Sequence, residues 1–441
     1  MPNLRELILQ ILNEVLEEGR YSHIVIRQAL QKYQYLEKKK RAFITRVSEG
    51  TIQNCMQLDY VIDSFSSVKG KKMKPVIRNI LRMGVYQIKF MDSVPDSAAC
   101  NEAVRLAKKK GFSSLAGFVN GVLRQISRKL PDVRYPSKER EPVRALSVLY
   151  SMPEWIVEKW LCVYGMERTE ELLGRFLEPS FLTIRTNLTK TTPERLEQIL
   201  GEECVRVQKL NSDEYPDLSY AFAIEGVDSI AKLRSFQEGL FYVQDISSMM
   251  AAECAGVRAG DYVIDVCAAP GGKSLHLAEK LHKSGIVEAR DLTPYKTGLI
   301  EENIRRSGLT NIKAVQWDAL VRKEDSIEKA DIVLADLPCS GLGVLRKKTD
   351  IKYRFTREGE SALVKLQRDI LDTVCTYVKP GGTLVYSTCT INRAENEDNV
   401  RWFLENHTQF TLQREQQLFP GGVGDGFYLA KLKRLASGAI S

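Results

Sequence analysis

Two of the nine cysteines stand where a thiol could do chemistry. Cys339 follows an apolar run in Asp336-Leu337-Pro338-Cys339-Ser340-Gly341, and Cys389 follows another in Tyr386-Ser387-Thr388-Cys389. Each run has the length and composition of a buried strand, so both sulfurs fall at strand ends. Carboxylates close other such runs: Asp336 itself, Asp265 after Tyr262-Val263-Ile264, and Asp291 26 residues later. A thiolate attacks electron-poor carbon, and a neighbouring carboxyl group can hold or pass a proton. Cys55, Cys100, Cys162, Cys204, Cys254 and Cys375 read instead as small buried apolar residues. Sequence position alone does not rank Cys339 and Cys389.

The elements that would position these groups are strands alternating with helices. Strands are predicted at 262–266, 286–290, 312–316, 331–335 and 382–387, with helices between, which is the pattern of a parallel α/β sheet. The stretch Gly424 to Leu432 predicts a last strand, inserted in the sheet as part of a terminal antiparallel hairpin. Ligands of such sheets bind at the carboxyl ends of the strands, where Asp265, Asp291, Asp318, Asp336 and both cysteines fall. After Asp265 the chain runs through Ala268-Ala269-Pro270-Gly271-Gly272 into a helix with Leu275, Leu277, Ala278 and Leu281. Two adjacent glycines let backbone N–H groups approach a ligand. A Walker loop would place its first glycine at Cys267, and no G-x-G-x-x-G is present, so an NTPase and a dinucleotide fingerprint are both excluded. Amino-group methyltransferases carry D-P-P-[YF] at the fourth strand end; a cysteine replaces that aromatic here and argues against an exocyclic nitrogen as target.

The string Asp265-Val266-Cys267-Ala268-Ala269-Pro270-Gly271-Gly272-Lys273 resembles the cofactor loop of RNA cytosine-C5 methyltransferases of the Sun/RsmB type. The resemblance implies a Rossmann-like methyltransferase domain that binds S-adenosylmethionine. It implies that Cys267, Ala268, Ala269, Pro270, Gly271, Gly272 and Lys273 wrap the methionine half. Asp291 would take the ribose hydroxyls and Asp318 the adenine end, with Asp336 closing the site. It assigns the nucleophile to Cys389 and release to Cys339, with Asp336 near N3 of the base. Lys273 either holds the catalytic groups and lowers a thiol pKa, or only caps the loop. Thiolate addition to C6 makes C5 an enamine-like carbon able to take the methyl group. The target base must leave its stack to reach the thiol.

Residues 1–130 read as helices, with apolar stripes at 4–16 and at about 23–34, 41–60, 73–91, 96–109 and 114–128. They hold 23 Lys and Arg against 11 Asp and Glu, while the remaining residues hold 41 against 45. A basic head suggests a polyanion partner, and Lys38-Lys39-Lys40-Arg41, Lys69, Lys71, Lys72, Lys74 and Lys108-Lys109-Lys110 lie at helix ends where they can reach phosphates. Strings such as Pro75-Val76-Ile77-Arg78-Asn79-Ile80-Leu81-Arg82-Met83-Gly84-Val85-Tyr86 and Phe118-Val119-Asn120-Gly121-Val122-Leu123-Arg124 resemble the RNA-binding NusB fold, the layout of the RsmB branch. The expected division is an all-α domain over 1–132, a helical linker over 133–178, a small α/β subdomain over 179–240, and the methyltransferase domain over 241–441. The linker is read as two short helices, the second capped by Thr169. In the resembling family the small subdomain helps form the RNA cleft. Arg346-Lys347-Lys348 and Lys352-Tyr353-Arg354 are read as a basic, aromatic loop for RNA phosphate and a stacked base.

No apolar run reaches the roughly 20 residues of a membrane span, and the first residues lack a signal-peptide layout. An odd cysteine count without C-x-x-C pairs suits a reducing cytoplasm. Four histidines with no cysteine at ligand spacing leave no zinc site, and no other metal is expected. The expected enzyme is a monomeric 16S ribosomal RNA cytosine-C5 methyltransferase. A transfer RNA methyltransferase of the same chemistry and an inactive RNA-binding assembly factor are the alternatives.

Overall fold

Helix Pro75–Phe90 buries Ile77 and every residue from Asn79 to Gln87, far more than the single stripe of a surface helix. In the computed structural model, which describes residues 3–210 and 213–436, it is the axis of a helical unit comprising Met1–Glu178 and Leu345–Arg354. Helices Leu4–Leu16, Lys38–Gln53, Cys55–Phe65, Asp96–Lys109 and Ala116–Lys129 pack on it. Gly50 permits one of these approaches, because a Cβ there would overlap the Tyr86 ring. Arg82 brings a charge inside and lays its guanidinium on both Asp59 oxygens, at 2.7 and 2.6 Å, so that charge is paired.

Several sequence expectations change here. The single helix expected over 41–60 breaks at Asn54, whose side-chain amide donates to the Gly50 carbonyl at 2.8 Å; asparagine competes with helical bonding in this way. The linker forms helix Pro142–Tyr150 and then Glu154–Arg175, the latter kinked at Gly165 with φ +74°. Thr169 caps nothing, being buried inside that second helix. Cys162 and Cys204 are exposed rather than core.

The largest correction concerns Lys352 and Tyr353. The segment Leu345–Arg354 belongs to the helical unit, where Lys352 donates to the Gln53 carbonyl at 2.9 Å and the Tyr353 hydroxyl donates to the same oxygen at 3.1 Å. Tyr353 packs on the helical core, Lys352 is 4% exposed, and Asp350 accepts from Ser22 and Arg354. These side chains anchor the segment and are not displayed to a nucleic acid.

The second unit, Pro179–Val344 with Phe355–Ser441, contains two sheets. Strands β1 (Leu182–Thr186), β2 (Arg206–Lys209), β3 (Ala221–Glu225) and β4 (Phe241–Val243) form an antiparallel sheet in the order β2-β3-β1-β4. Helix Pro193–Glu202 covers it, with Thr192 accepting the Arg195 N–H as its N-cap. The larger sheet contains β5 (Tyr262–Asp265), β6 (Ile286–Asp291), β7 (Ile312–Gln316), β8 (Ala330–Asp336), β9 (Val378–Thr388), β10 (Phe410–Leu418) and β11 (Phe427–Arg434). Its order is β10-β11-β9-β8-β5-β6-β7, with β5 to β9 parallel and β11 antiparallel between β9 and β10. Val263, Ile264, Val333 and Leu334 are fully buried in the central strands, which is why those strands read as unbroken apolar runs. The chain proceeds outward from β5 to β7, then crosses back to β8, so the direction of winding reverses between β5 and β8. Ligand crevices of such sheets open there.

Candidate active site

Four strand ends converge at that reversal. The β8–β9 register pairs Asp336 with Ser387, so the residues just beyond each strand emerge side by side. Cys339 and Cys389 are those residues, and their sulfurs lie 3.1 Å apart. The Cys389 backbone N–H also donates to the Cys339 sulfur, at 3.2 Å. The Cys339 thiol is held well above its ordinary range by its hydrogen bond to Cys389, then by burial, by the Cys389 charge and by Glu395. Gly343 closes the turn: its N–H donates to the Cys389 carbonyl at 3.1 Å. A Cβ there would meet the Gly426 carbonyl oxygen at 1.9 Å, so only glycine fits.

Lys273 and Asp336 form the charged half of the site. The Lys273 ammonium donates to Asp336 Oδ2 at 2.7 Å and lies 5.3 Å over the Phe427 ring. Burial alone would lower the Lys273 pKa, but Asp336, Asp265 and Cys389 together raise it. The other Asp336 oxygen accepts from the Ser387 hydroxyl at 2.8 Å. Asp265, 1% exposed, accepts from Ser274 Oγ at 2.5 Å through Oδ2, while its Oδ1 has no partner. Burial first, and then the neighbouring Asp336 charge, push the Asp265 carboxyl up to about 7 against the bond from Ser274.

A cavity of about 190 Å³ opens between these groups, lined by Asp265, Cys267, Ala268, Ala269, Pro270, Gly272, Lys273 and Asp336 together with Val243, Gln244, Asp245 and Ser248. Gly271 precedes the helix with φ +105°, a conformation that favours glycine and leaves the loop backbone bare. Asp291 and Asp318 lie outside that lining. Asp291 receives the Ala269 N–H at 2.9 Å and Lys296 at 2.9 Å, fixing the loop from the β6 side. Asp318 follows β7 and accepts the Leu320 N–H at 2.9 Å. Cys267 is pushed up by burial and by three surrounding carboxylates, the surroundings of an inert thiol.

Residues 255–433 match the family "16S rRNA methyltransferase RsmB/F", and residues 2–128 match the NusB family. The "Probable ribosomal RNA small subunit methyltransferase B" of Bacillus subtilis (strain 168) is 36% identical over 98% of this chain and 99% of its own length. The chain belongs to the RsmB/F methyltransferase family. The ribosomal RNA small subunit methyltransferase B of Salmonella paratyphi A is 30% identical over 98% of both chains. The crystal structure of PH0851 matches with a TM-score of 0.82 at 25% identity, over 98% of this chain and 99% of that one. NSun6 from Pyrococcus horikoshii with SFG shares the fold over 66% of this chain and all of its own, at 24% identity and a TM-score of 0.58.

In this methyltransferase several site residues carried no signal in the sequence. Ser387 reads there only as part of a strand end, and Gln244, Asp245 and Ser248 only as the opening of a domain. Arg185 stands in Arg185-Thr186-Asn187, which resembles a family string but reveals no role by itself, yet it is buried, pairs with Glu279 at 2.7 Å, bonds Gln244 at 2.8 Å and stacks over Tyr242. It ties the small sheet to the helix that follows the cofactor-type loop. A lone arginine in a strand of a small sheet, followed by Asn187, which bonds the Ser307 carbonyl at 3.2 Å, was the available clue.

Proposed function

We propose that this methyltransferase moves the methyl group of S-adenosylmethionine to C5 of a cytosine in 16S ribosomal RNA, through a covalent bond between the Cys389 sulfur and C6. The reading rests on two sulfurs 3.1 Å apart at adjacent strand ends beside the Lys273–Asp336 pair. Free thiols at that distance suit a reaction in which one sulfur bonds carbon and the other assists its departure.

The residues fit the cofactor. Bare loop backbone at Cys267 to Lys273, a buried Asp265 oxygen without a partner, and carboxylates at three successive strand ends form a cradle for an amino acid joined to a nucleoside. Asp291 would take the ribose hydroxyls, Asp318 the adenine end, and Asp336 with Lys273 the edge toward the reacting base. When bound, S-adenosylmethionine supplies an electrophilic methyl group on a sulfonium. Cys389 as thiolate forms the S–C6 bond, and the C5–C6 π electrons move to C5. Asp336, positioned by Lys273 and Ser387, acts there as the carboxylic acid, donating its proton toward N3 as negative charge develops on that nitrogen. The electron-rich C5 would take that methyl group, the CH3–S bond breaking with its electron pair left on the donor sulfur as a neutral thioether. Loss of the C5 proton to a base restores the C5–C6 double bond, and the S–C6 electrons return to Cys389. Cys339, in contact with the departing sulfur, assists that release.

Exposed Lys38, Lys39, Lys69, Lys71, Lys72 and Lys74 are assigned to RNA phosphates, residues 1–132 acting as the docking domain and 241–441 as the catalytic one. No helix among the described residues is long and apolar enough to cross a membrane, and a cytoplasmic enzyme follows from the substrate. Bisulfite mapping of RNA from cells lacking the gene tests the reading: one 5-methylcytosine of 16S RNA should vanish and return with the purified protein. An unchanged 16S pattern with a lost site in transfer RNA would reassign the substrate.

A further inference from the structure

The mechanism above leaves the buried carboxylate nearest the two cysteine turns, that of Glu395, unused. Glu395 is fully buried, and its side chain makes no ion pair among the described residues. Its Oε2 accepts the Ser340 N–H at 2.8 Å and the Gln367 amide at 3.0 Å, and its Oε1 accepts the Asn392 amide at 2.9 Å. Three N–H donors and no acceptor form the hydrogen-bond set of an ionised carboxylate. A charge kept inside without a counter-ion is expensive unless it is fully hydrogen-bonded, so its retention calls for a reason.

The partners supply one. Ser340 adjoins Cys339, and Gln367 also donates to the Pro338 carbonyl at 2.9 Å, so the residues on both sides of Cys339 are held through Glu395. Ser340 Oγ meets Thr390 Oγ1 at 2.8 Å, and Thr390 adjoins Cys389. The Asn392 N–H bonds the same Thr390 hydroxyl at 3.2 Å. One carboxylate therefore fixes both cysteine turns. The field it adds is one-sided: Glu395 acts on Cys339, whereas Lys273 interacts with Cys389.

We propose that Glu395 is a positioning residue of the methyl-transfer reaction, locking the two cysteine turns together and keeping the proton of the thiol pair on Cys339, so that Cys389 is the thiolate. The proposal rests on the assignment of Cys389 as nucleophile and adds what selects it. Two equivalent thiols in contact would share a proton without preference. A negative charge beside one and an ammonium beside the other break that symmetry. Asp336, Lys273 and Asp265 on the cavity side, Tyr386 with Arg368 on the buried side, and Glu360, which accepts from the Asn392 amide at 2.8 Å, are the other charged or titratable groups of the surroundings. All of them stay in place in the variant below.

The test is alkylation of the full chain by iodoacetamide across pH, with each cysteine followed by mass spectrometry and neither RNA nor methyl donor present. In the unmodified protein Cys389 should react first and Cys339 only at higher pH. Glu395→Gln should make Cys339 about tenfold more reactive at a given pH and lower turnover at least as much, with donor binding retained. Unchanged cysteine selectivity in a folded Glu395→Gln protein overturns the proposal even where turnover falls, because only a packing role would remain. If that variant does not fold, the unmodified protein still decides: Cys339 reacting first overturns it. Alkylation needs no catalysis, so a selectivity that matches while Cys389→Ala retains turnover would refute the nucleophile assignment and leave the electrostatic role standing.

Discussion

The sulfur of Cys339 touches that of Cys389 at 3.1 Å and also accepts the Cys389 backbone N–H at 3.2 Å. Fifty residues separate the two in the chain, and the β8–β9 register brings them together. The Leu337 N–H donates to the Ser387 carbonyl at 3.0 Å, extending the strand pairing one step past Asp336, so neither turn can slide without breaking the ladder.

That contact makes the two cysteines separable by experiment. Cys389→Ala should abolish methyl transfer while donor binding stays near normal. Cys339→Ala should let the S–C6 bond form but not resolve, leaving RNA attached to protein as a slow band on a denaturing gel. Retained turnover in Cys389→Ala would move the nucleophile elsewhere, and the lack of any adduct in Cys339→Ala would remove Cys339 from the release step.

Lys273 and Asp336 should behave as one unit. Lys273→Met strands the Asp336 carboxylate near Asp265, and the loss should be about 2 kcal/mol of stability, since Asp336 keeps some exposure to water. Lys273→Met with Asp336→Asn removes both charges and should recover most of that stability. Turnover should fall at least about 100-fold in either protein, because the charge arrangement facing the base is gone in both. Thermal melts beside initial rates check this; stability and rate recovering together would make the pair purely structural.

Much of this site was legible before any coordinates, for a physical reason. Strand ends in a parallel sheet are marked by unbroken apolar runs that stop at a polar residue, and Asp265, Asp291, Asp336 and both cysteines sit at such stops. The terminal hairpin was half legible: β11 is buried and apolar, whereas β10, with Thr411, Gln413, Arg414 and Glu415 facing solvent, has no strand-like pattern. Lys352 and Tyr353 misled because a basic, aromatic stretch looks alike whether it meets a phosphate or a buried carbonyl. Glu395 stayed hidden because a buried carboxylate in a polar stretch has the composition of a surface loop.

Asp265 gives the catalytic unit a pH dependence whose sign can be worked out. Its carboxyl is near 3.8 when unfolded and about 7 when folded. Between those values the folded state binds more protons than the unfolded one, so stability is full below about pH 4 and declines toward pH 7. The decline is about 4 kcal/mol for this group. Asp265→Asn should therefore melt higher than the unmodified protein at pH 8 and nearly level with it at pH 4. A melting difference that is the same at both values would mean that the carboxyl is not protonated in the fold.

The last contrast separates two kinds of lysine in the helical unit. Lys71 and Lys72 are exposed, whereas burial lowers Lys352 to about 7. If phosphates are met by exposed charge, Lys71→Glu with Lys72→Glu should weaken RNA binding. It should also flatten the dependence of log affinity on log salt by about two counterions. Lys352→Met should leave both quantities within about twofold, because the ammonium bonds the Gln53 carbonyl rather than solvent. Its effect belongs to stability instead. The unfolded lysine stays protonated up to about pH 10 while the folded one loses its proton near 7, so the unmodified protein gains stability as pH rises through that window. Lys352→Met should remove that gain, and filter binding over a salt series with melts at pH 7 and pH 9 distinguishes the two residues. A salt slope altered by Lys352→Met but not by the Lys71 and Lys72 changes would place the RNA against the Leu345–Arg354 segment after all.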